Sequence, residues 1–324
     1  MAPRPVMIPS ADPQVLSADC HSESGLALPP EVDEQRLRAV LGRYFERFVA
    51  GGLAALATGE HNDQWLQFGL ALNPGHGTAV HARLRALAAR LLDDGAVLNF
   101  FYMHKPPGLR IRFEVVPGRR DELADRIEDE LSRWQADVAE VRRGRYEPED
   151  LLFGGPTSMG YVHALFTVDS QCWLDYFGLP DRPPPWMFSL AILRHLLNGL
   201  TISNWEDLNV WERVRRQAYR GIPDALDKHK VAAATGMIRT LWGDQDALRT
   251  ALGEDAAALA AGYGARILDC AQRWNAGCFA VGDSLIGPRE AAAFATIFHW
   301  NRGRLSAVPQ GLIATALSDR SARP

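Results

Sequence analysis

The chain has 324 residues, of which 47% are hydrophobic and 9% aromatic, and a formal net charge of −4. That is enough apolar material for a large core, and the charge gives no global pull toward nucleic acid or an anionic membrane. No apolar run approaches the roughly 20 residues needed to cross a bilayer, no basic-then-apolar signal opens the chain, and Cys20, Cys172, Cys270 and Cys278 form no CxxC pair, so they read as free thiols of a cytoplasmic protein.

Residues 1–30 are rich in proline, serine and alanine and read as a poorly ordered tail. Glu34 to Leu53 carries a helical stripe of Leu37, Val40, Leu41, Tyr44 and Phe48. Gln64 to Leu72 reads as a strand, stopped by Asn73-Pro74-Gly75. Thr78 can cap the helix that follows, which aligns Val80, Leu84, Leu87 and Leu91 and ends at Asp94-Gly95. Asn99 to Phe113 then reads as two strands about the turn Lys105-Pro106-Pro107-Gly108. In the second of these, Leu109, Ile111, Phe113 and Val115 alternate with Arg110, Arg112 and Glu114, so both arginines share one face. Two adjacent guanidiniums do not belong in a dry core, so that face meets either solvent or something anionic or rich in carbonyls. A helix at roughly Asp121 to Gln135 and a weaker strand at roughly Val138 to Tyr146 complete the unit.

The order β-α-β-β-α-β is the split-βαβ or ferredoxin-like arrangement, with both helices on one face of a four-stranded sheet. Beyond Gly154 the chain reads almost wholly as helix, at 157–177, 187–200, 204–219, 229–250, 255–275, 288–305 and 309–318. The expected fold is α+β: a sheet unit over 31–150 and a mainly helical half over 151–324, packed on the open face that bears Arg110 and Arg112. The groove between the halves is then the default binding site.

No phosphate loop, GxGxxG after a strand, GxSxG elbow or HExxH is present, and Gly75-His76-Gly77 reads as a plain loop. Arg142-Arg143-Gly144-Arg145 is either a charge-protected sheet edge or a dock for an acidic peptide. His163 and His195 read as ordinary partly buried histidines, and Asp169-Ser170 as a helix-end feature. Phe298-His299-Trp300-Asn301-Arg302 is more informative: His299 and Arg302, three apart, share a helix face, and a guanidinium beside an imidazole favours its neutral form. With Arg110 and Arg112 they make one candidate site.

These residues resemble a known family. Leu109-Arg110-Ile111-Arg112-Phe113 is similar to the LRLRF motif of the C-terminal elimination domain of lantibiotic dehydratases. Tyr146-Glu147-Pro148-Glu149 with Gly154-Gly155 resembles its YExE…RYGG segment, Phe166 to Ser170 its F-x-x-DS element, and His299-Trp300-Asn301-Arg302 its late H…NR motif. Leu152 stands where the RYGG arginine falls, Gly108 stands where a histidine usually precedes LRLRF, and the family's late histidine aligns with Ile297 or His299. The length and the FHWNR form resemble a divergent branch, the thiopeptide pyridine synthases.

That resemblance implies formation of a central pyridine by formal [4+2] aza-cycloaddition of two dehydroalanines in an azole-bearing precursor peptide, with no metal or organic cofactor. It implies His299, Arg110 and Arg112 as the acting residues and Tyr102, Tyr161, Trp300 and Arg302 as substrate contacts, with Trp205 a further aromatic candidate. Arg142, Arg143 and Arg145 would hold an acidic leader peptide, and neither nucleic acid nor membrane is an expected partner. The alternatives are a stand-alone glutamate-eliminating subunit of a split dehydratase and a non-catalytic leader-binding scaffold.

Overall fold

The computed structural model describes residues 64–319 apart from 107, 204, 218–221 and 223–225, together with residues 35, 38, 45 and 49. The expected tail at 1–30 lies outside the described residues. Of the expected helix at 34–53, the described Gln35, Arg38, Phe45 and Val49 are helical and belong to a unit of their own, Met1–Leu53. The sheet and the helices after it form the second unit, Ala54–Pro324.

That unit opens with β1 (Trp65–Leu72), α1 (Gly77–Asp93), β2 (Val97–Lys105), β3 (Gly108–Val115), α2 (Arg120–Ser132) and β4 (Val138–Gly144). The strands lie in the order β2-β3-β1-β4, with every neighbouring pair antiparallel, which is the ferredoxin-like arrangement read from the alternation of elements. Leu84, Leu87, Leu123 and Ile127 from the two helices share a buried core with Phe68, Leu70, Ile111 and Phe113 from the strands. Thr78 does not cap α1: the helix starts at Gly77, and its cap position, His76, instead bonds Asp137 through Nδ1 at 2.9 Å.

The helical half comprises α3 (Asp150–Phe153), α4 (Pro156–Gly178), α5 (Pro185–Gly199), α6 (Glu206–Arg216), α7 (Lys228–Gly243), α8 (Gln245–Leu252), α9 (Glu254–Trp274), α10 (Pro288–Arg302) and α11 (Ala307–Ser318). The single helix expected over 229–250 is two, because Asp244 leaves helical geometry and its carboxylate accepts from the amides of Asp246 and Ala247, capping α8. A widened turn at Asn275–Phe279 extends α9.

Helix α4 fixes how the halves of this unit meet. It runs along the outer edge of β2, where Thr167 Oγ1 accepts from the Phe100 amide at 3.1 Å and Ser170 Oγ from the Tyr102 amide at 3.4 Å. Side chains thus satisfy backbone donors that an edge strand would leave open. Asp169-Ser170 is therefore no helix-end feature but lies in the middle of α4, facing inward. The same helix covers the arginine-bearing face beside Phe101, while toward β4 Glu140 and Arg142 are exposed. Among the described residues no helix is long and apolar enough to cross a membrane, and no three or more His, Cys, Asp or Glu side chains are placed to hold a metal ion. Cys172, Cys270 and Cys278 are buried and unpaired by disulfide, whereas Cys20 lies outside the described residues.

Candidate functional site

Strand alternation delivers Arg110 and Arg112 to one face, as expected, but into different environments. Arg110 is half-buried and has no side-chain hydrogen bond or ion pair among the described residues. Arg112 is 4% exposed, with its guanidinium 4.8 Å from the Tyr146 ring and 5.0 Å from that of Phe101. Its Nε donates to Gln67 Oε1 at 2.8 Å, while Nη1 is buried with no partner. Burial lowers the Arg112 pKa, opposed by the charge of Glu149, whose own Oε2 is also buried without a partner. Tyr146 Oη lies 2.8 Å from His163 Nε2, so His163 is the second layer of this cluster rather than an isolated core histidine, and burial holds the Tyr146 phenol protonated. Gly154, at φ +103°, ends α3 in a conformation that suits glycine and turns the chain from the Tyr146–Glu149 segment into α4.

A second cluster joins α4, α5 and α10. Asp169 Oδ1 is 2.6 Å from His299 Nδ1, and Oδ2 accepts from Arg302 Nε at 2.6 Å. Trp173 Nε1 stands 3.1 Å from the same His299 Nδ1. One ring nitrogen cannot both donate to a carboxylate and accept from an indole, and the charge-assisted partner dominates, so Nδ1 carries the proton. Nε2 lies 3.0 Å from the Ser189 hydroxyl, whose oxygen accepts from Trp300 Nε1 at 2.9 Å. Burial acts to raise the Asp169 pKa, but His299 and Arg302 outweigh it and hold the carboxyl below its usual range. The Arg302 guanidinium also lies 4.2 Å from the Phe166 ring and reaches Met103 Sδ at 3.5 Å, opposite Arg110 in the β2–β3 register. Gly303 lets this close: a Cβ there would stand 2.3 Å from the Trp173 ring.

His299 and Arg302 do share a face, as their spacing indicates, but that face is sealed. His299 is 3% exposed and Arg302 1%, so neither lines an open groove; the driving force is the apolar wall of Leu165, Phe166, Ile192 and Ala295 around the Asp169 pair. Ile297 is buried and has no polar atom to enter the network, so His299 is the late residue with hydrogen-bonding chemistry. Tyr102 and Trp300, expected to stack on substrate, are fully buried, with Tyr102 Oη donating to the Arg302 carbonyl at 3.3 Å. Tyr161 is half-buried against Gly277 in the widened turn, and Trp205 is exposed. Arg142 pairs with Glu140, and Arg143 with Glu128 and with Asp125 at 3.1 Å, leaving Arg145 alone of the three without an acidic side-chain partner among the described residues. Sequence reasoning gave no site role to Asp169, Ser189, Tyr146 or Glu149, although three of them lie in segments that resemble family motifs, Tyr146-Glu147-Pro148-Glu149 and Phe166 to Ser170; Ser189 carried no signal.

The profile of the lantibiotic biosynthesis dehydratase C-terminal family matches residues 65–310. No curated protein sequence matches the chain. Among solved structures, the chain is similar to the crystal structure of the tRNA dependent lantibiotic dehydratase MibB from Microbispora sp. 107891, with a TM-score of 0.59 and 16% sequence identity over 78% of this chain. That likeness is one of fold, and this chain spans 28% of the length of that one.

Proposed function

Because the chain belongs to the lantibiotic dehydratase C-terminal family, we propose that it modifies a ribosomally made precursor peptide, and specifically that it closes a pyridine ring. The observation that carries the finer reading is Leu152. An aliphatic, half-buried side chain occupies the place where glutamate-eliminating relatives have the RYGG arginine, so the anion-holding set for a glutamyl ester is incomplete. Stand-alone elimination remains the second reading, favoured by the intact pair Arg110 and Arg112.

In the proposed reaction an amide N–H proton moves to its carbonyl oxygen, making the 2-azadiene of one dehydroalanine. Two carbon–carbon bonds form to the second dehydroalanine, and loss of water and of the leader as a carboxamide gives the aromatic ring. No oxidant is consumed. The protein must bring two distant residues of a peptide together, which can contribute up to ~7–11 kcal/mol in favourable cases. We assign the imidate-like oxygen to half-buried Arg110 and the departing amide proton to the carboxylate of half-buried Glu149, with the buried Arg112 guanidinium supporting them from behind. His299 stands behind them as a structural residue, bonded to the Asp169 carboxylate that holds Arg302. Of the aromatic set, half-buried Tyr161 and exposed Trp205 keep surface for a substrate to touch.

The test is mass spectrometry after incubation with an azole-containing, bis-dehydroalanine precursor. Pyridine formation releases an intact leader amide. Conversion only of a glutamylated precursor to an open dehydrated peptide would establish elimination instead, and unchanged substrate with retained binding would establish a scaffold.

A further inference from the structure

At the opposite end of the β2–β3 hairpin from Tyr146, a cleft of about 590 Å³ opens beside the first turn of α1. Its lining includes Lys105, Arg304, His104, Asn73, Gly77 and Thr78, and no acidic residue. Lys105 and Arg304 are exposed and have no carboxylate partner among the described residues. Arg304 is held at φ +55°, a conformation uncommon outside glycine, and its Nη1 would stand 3.4 Å from a Cβ placed on Gly77, so the guanidinium lies over the start of α1. Asp137, whose backbone carbonyl accepts from the Asn73 amide, has its carboxylate already engaged by His76 and Arg83 at 2.9 Å each.

The cleft also contains an orphan. His104 Nε2 is buried and has no hydrogen-bond partner, although the ring packs edge-on to His81 and Tyr102. Burial is the main cause that lowers its pKa to about 3, with His81 and Arg304 adding to it, so the imidazole is neutral and keeps one nitrogen to donate or accept. An unsatisfied buried polar atom is costly and calls for a ligand or water.

We propose that this cleft binds a side-chain carboxylate of an acidic peptide segment, with Lys105 and Arg304 as charged partners and His104 as the inner hydrogen-bonding group. The inference rests on the peptide-modifying reading above and names where an acidic part of that peptide docks. It follows that the Arg142–Arg143 pair should be the weaker dock: those charges are already paired with Glu140, Glu128 and Asp125, whereas Lys105 and Arg304 have no carboxylate partner among the described residues. Arg304 lies two residues from Arg302, whose carbonyl accepts from Tyr102, so occupancy of the cleft acts next to the sealed Asp169 network.

The experiment is fluorescence anisotropy of the full chain with a tetramethylrhodamine-labelled decapeptide containing three glutamates, its glutamine counterpart, and inorganic phosphate as competitor. The expected result is that the glutamate peptide binds, that the glutamine peptide binds at least about tenfold more weakly, and that the double variant Lys105→Glu/Arg304→Glu, both surface changes, loses about tenfold or more for the glutamate peptide alone. Equal binding of both peptides, no binding, or unchanged affinity in the double variant would overturn the proposal. Displacement by millimolar phosphate with no glutamate-over-glutamine preference would assign the cleft to free oxyanions and also overturn it. The two readings fail separately: an unchanged KM for precursor in the double variant sinks the dock but not the chemistry, and charge-dependent peptide binding without product sinks the chemistry but not the dock.

Discussion

Two arginine-centred clusters lie within the same unit and differ in how completely they are hydrogen-bonded. In the Asp169 cluster the imidazole, the hydroxyl and both carboxylate oxygens are matched, only the Trp173 indole N–H losing His299 Nδ1 to the carboxylate, and the whole is enclosed by α4, α5 and α10. In the Arg112 cluster a guanidinium nitrogen and a carboxylate oxygen are buried without partners, and neighbouring Arg110 has no side-chain partner among the described residues. Both contain arginine, histidine and an acid, so residue type does not separate them; saturation does. A saturated buried network holds helices in place, because each member already has the partner it needs. An unsaturated one bears a desolvation cost that a substrate can relieve.

The sharpest way to break this contrast is to open the saturated cluster. Asp169→Ala leaves Arg302 buried with no counter-charge, and we expect it to lose roughly 3–5 kcal/mol of stability by urea titration. His299→Ala should lose less, about 1–3 kcal/mol, with product formation falling only as the unfolded fraction rises. A His299→Ala protein of unchanged thermal midpoint, slowed ~10²–10⁴-fold, would instead make the imidazole a proton carrier that reaches substrate when the helices part.

The complementary change belongs to the unsaturated cluster. Arg110→Ala removes a half-buried guanidinium with no partner to strand, so stability should hold within about 0.5 kcal/mol while turnover falls about 10²–10³-fold. Near-normal turnover by this variant would move the oxyanion contact away from the sheet face.

Much of this contrast was legible in the sequence, and the reason for the remainder is physical. Period-two alternation in Leu109–Val115 fixes the arginine face, because a strand cannot rotate one side chain without rotating all. The three-residue spacing of His299 and Arg302 likewise fixes their common side of α10. Which side of α10 meets solvent depends on α4 and α5, 110 to 130 residues away in the chain, and no local period encodes that. Asp169 looked like a capping residue because isolated Asp-Ser pairs favour helix ends. Only the edge of β2, with amides that Thr167 and Ser170 accept, explains a polar Thr-Val-Asp-Ser run inside a buried helix.

Acid should reveal a third polar group that is buried but not saturated. His81 and His104 are lowered to about 4 and about 3, both chiefly by burial. Their folded pKa values lie below the ordinary 6.5, so the neutral rings contribute stability above pH 6.5 that is lost as pH falls, toward 4 for His81 and 3 for His104. The slope is at most about 1.4 kcal/mol per pH unit for each ring. Asp169, held low, contributes a loss only below the ordinary carboxylate range. His81→Phe keeps the stack on Phe177, 4.4 Å between centroids, and should roughly halve the slope between pH 6.5 and 4, where His104 still titrates, while leaving the slope below 4. An unchanged slope between pH 6.5 and 4 would place the acid sensitivity elsewhere.

The smallest expected effect concerns the basic run on β4, and it sharpens the comparison because it asks whether saturation also sorts surface charges. Arg142 and Arg143 are exposed and each faces acidic side chains of its own chain, while Arg145 has none among the described residues. An exposed guanidinium that already has a carboxylate gains little by exchanging it for another, and salt screens what remains. Charge reversal of Arg142 and Arg143 together should therefore change affinity for an acidic leader by less than about threefold, and reversal of Arg145 alone by as much or more. Measured by anisotropy at two salt concentrations, a drop of more than tenfold with the first pair, steeper at low salt, would show that a peptide outcompetes the intramolecular acids. The dock would then lie on the β4 edge rather than beside Lys105 and Arg304, and saturation would hold as a guide for buried clusters but not for the surface.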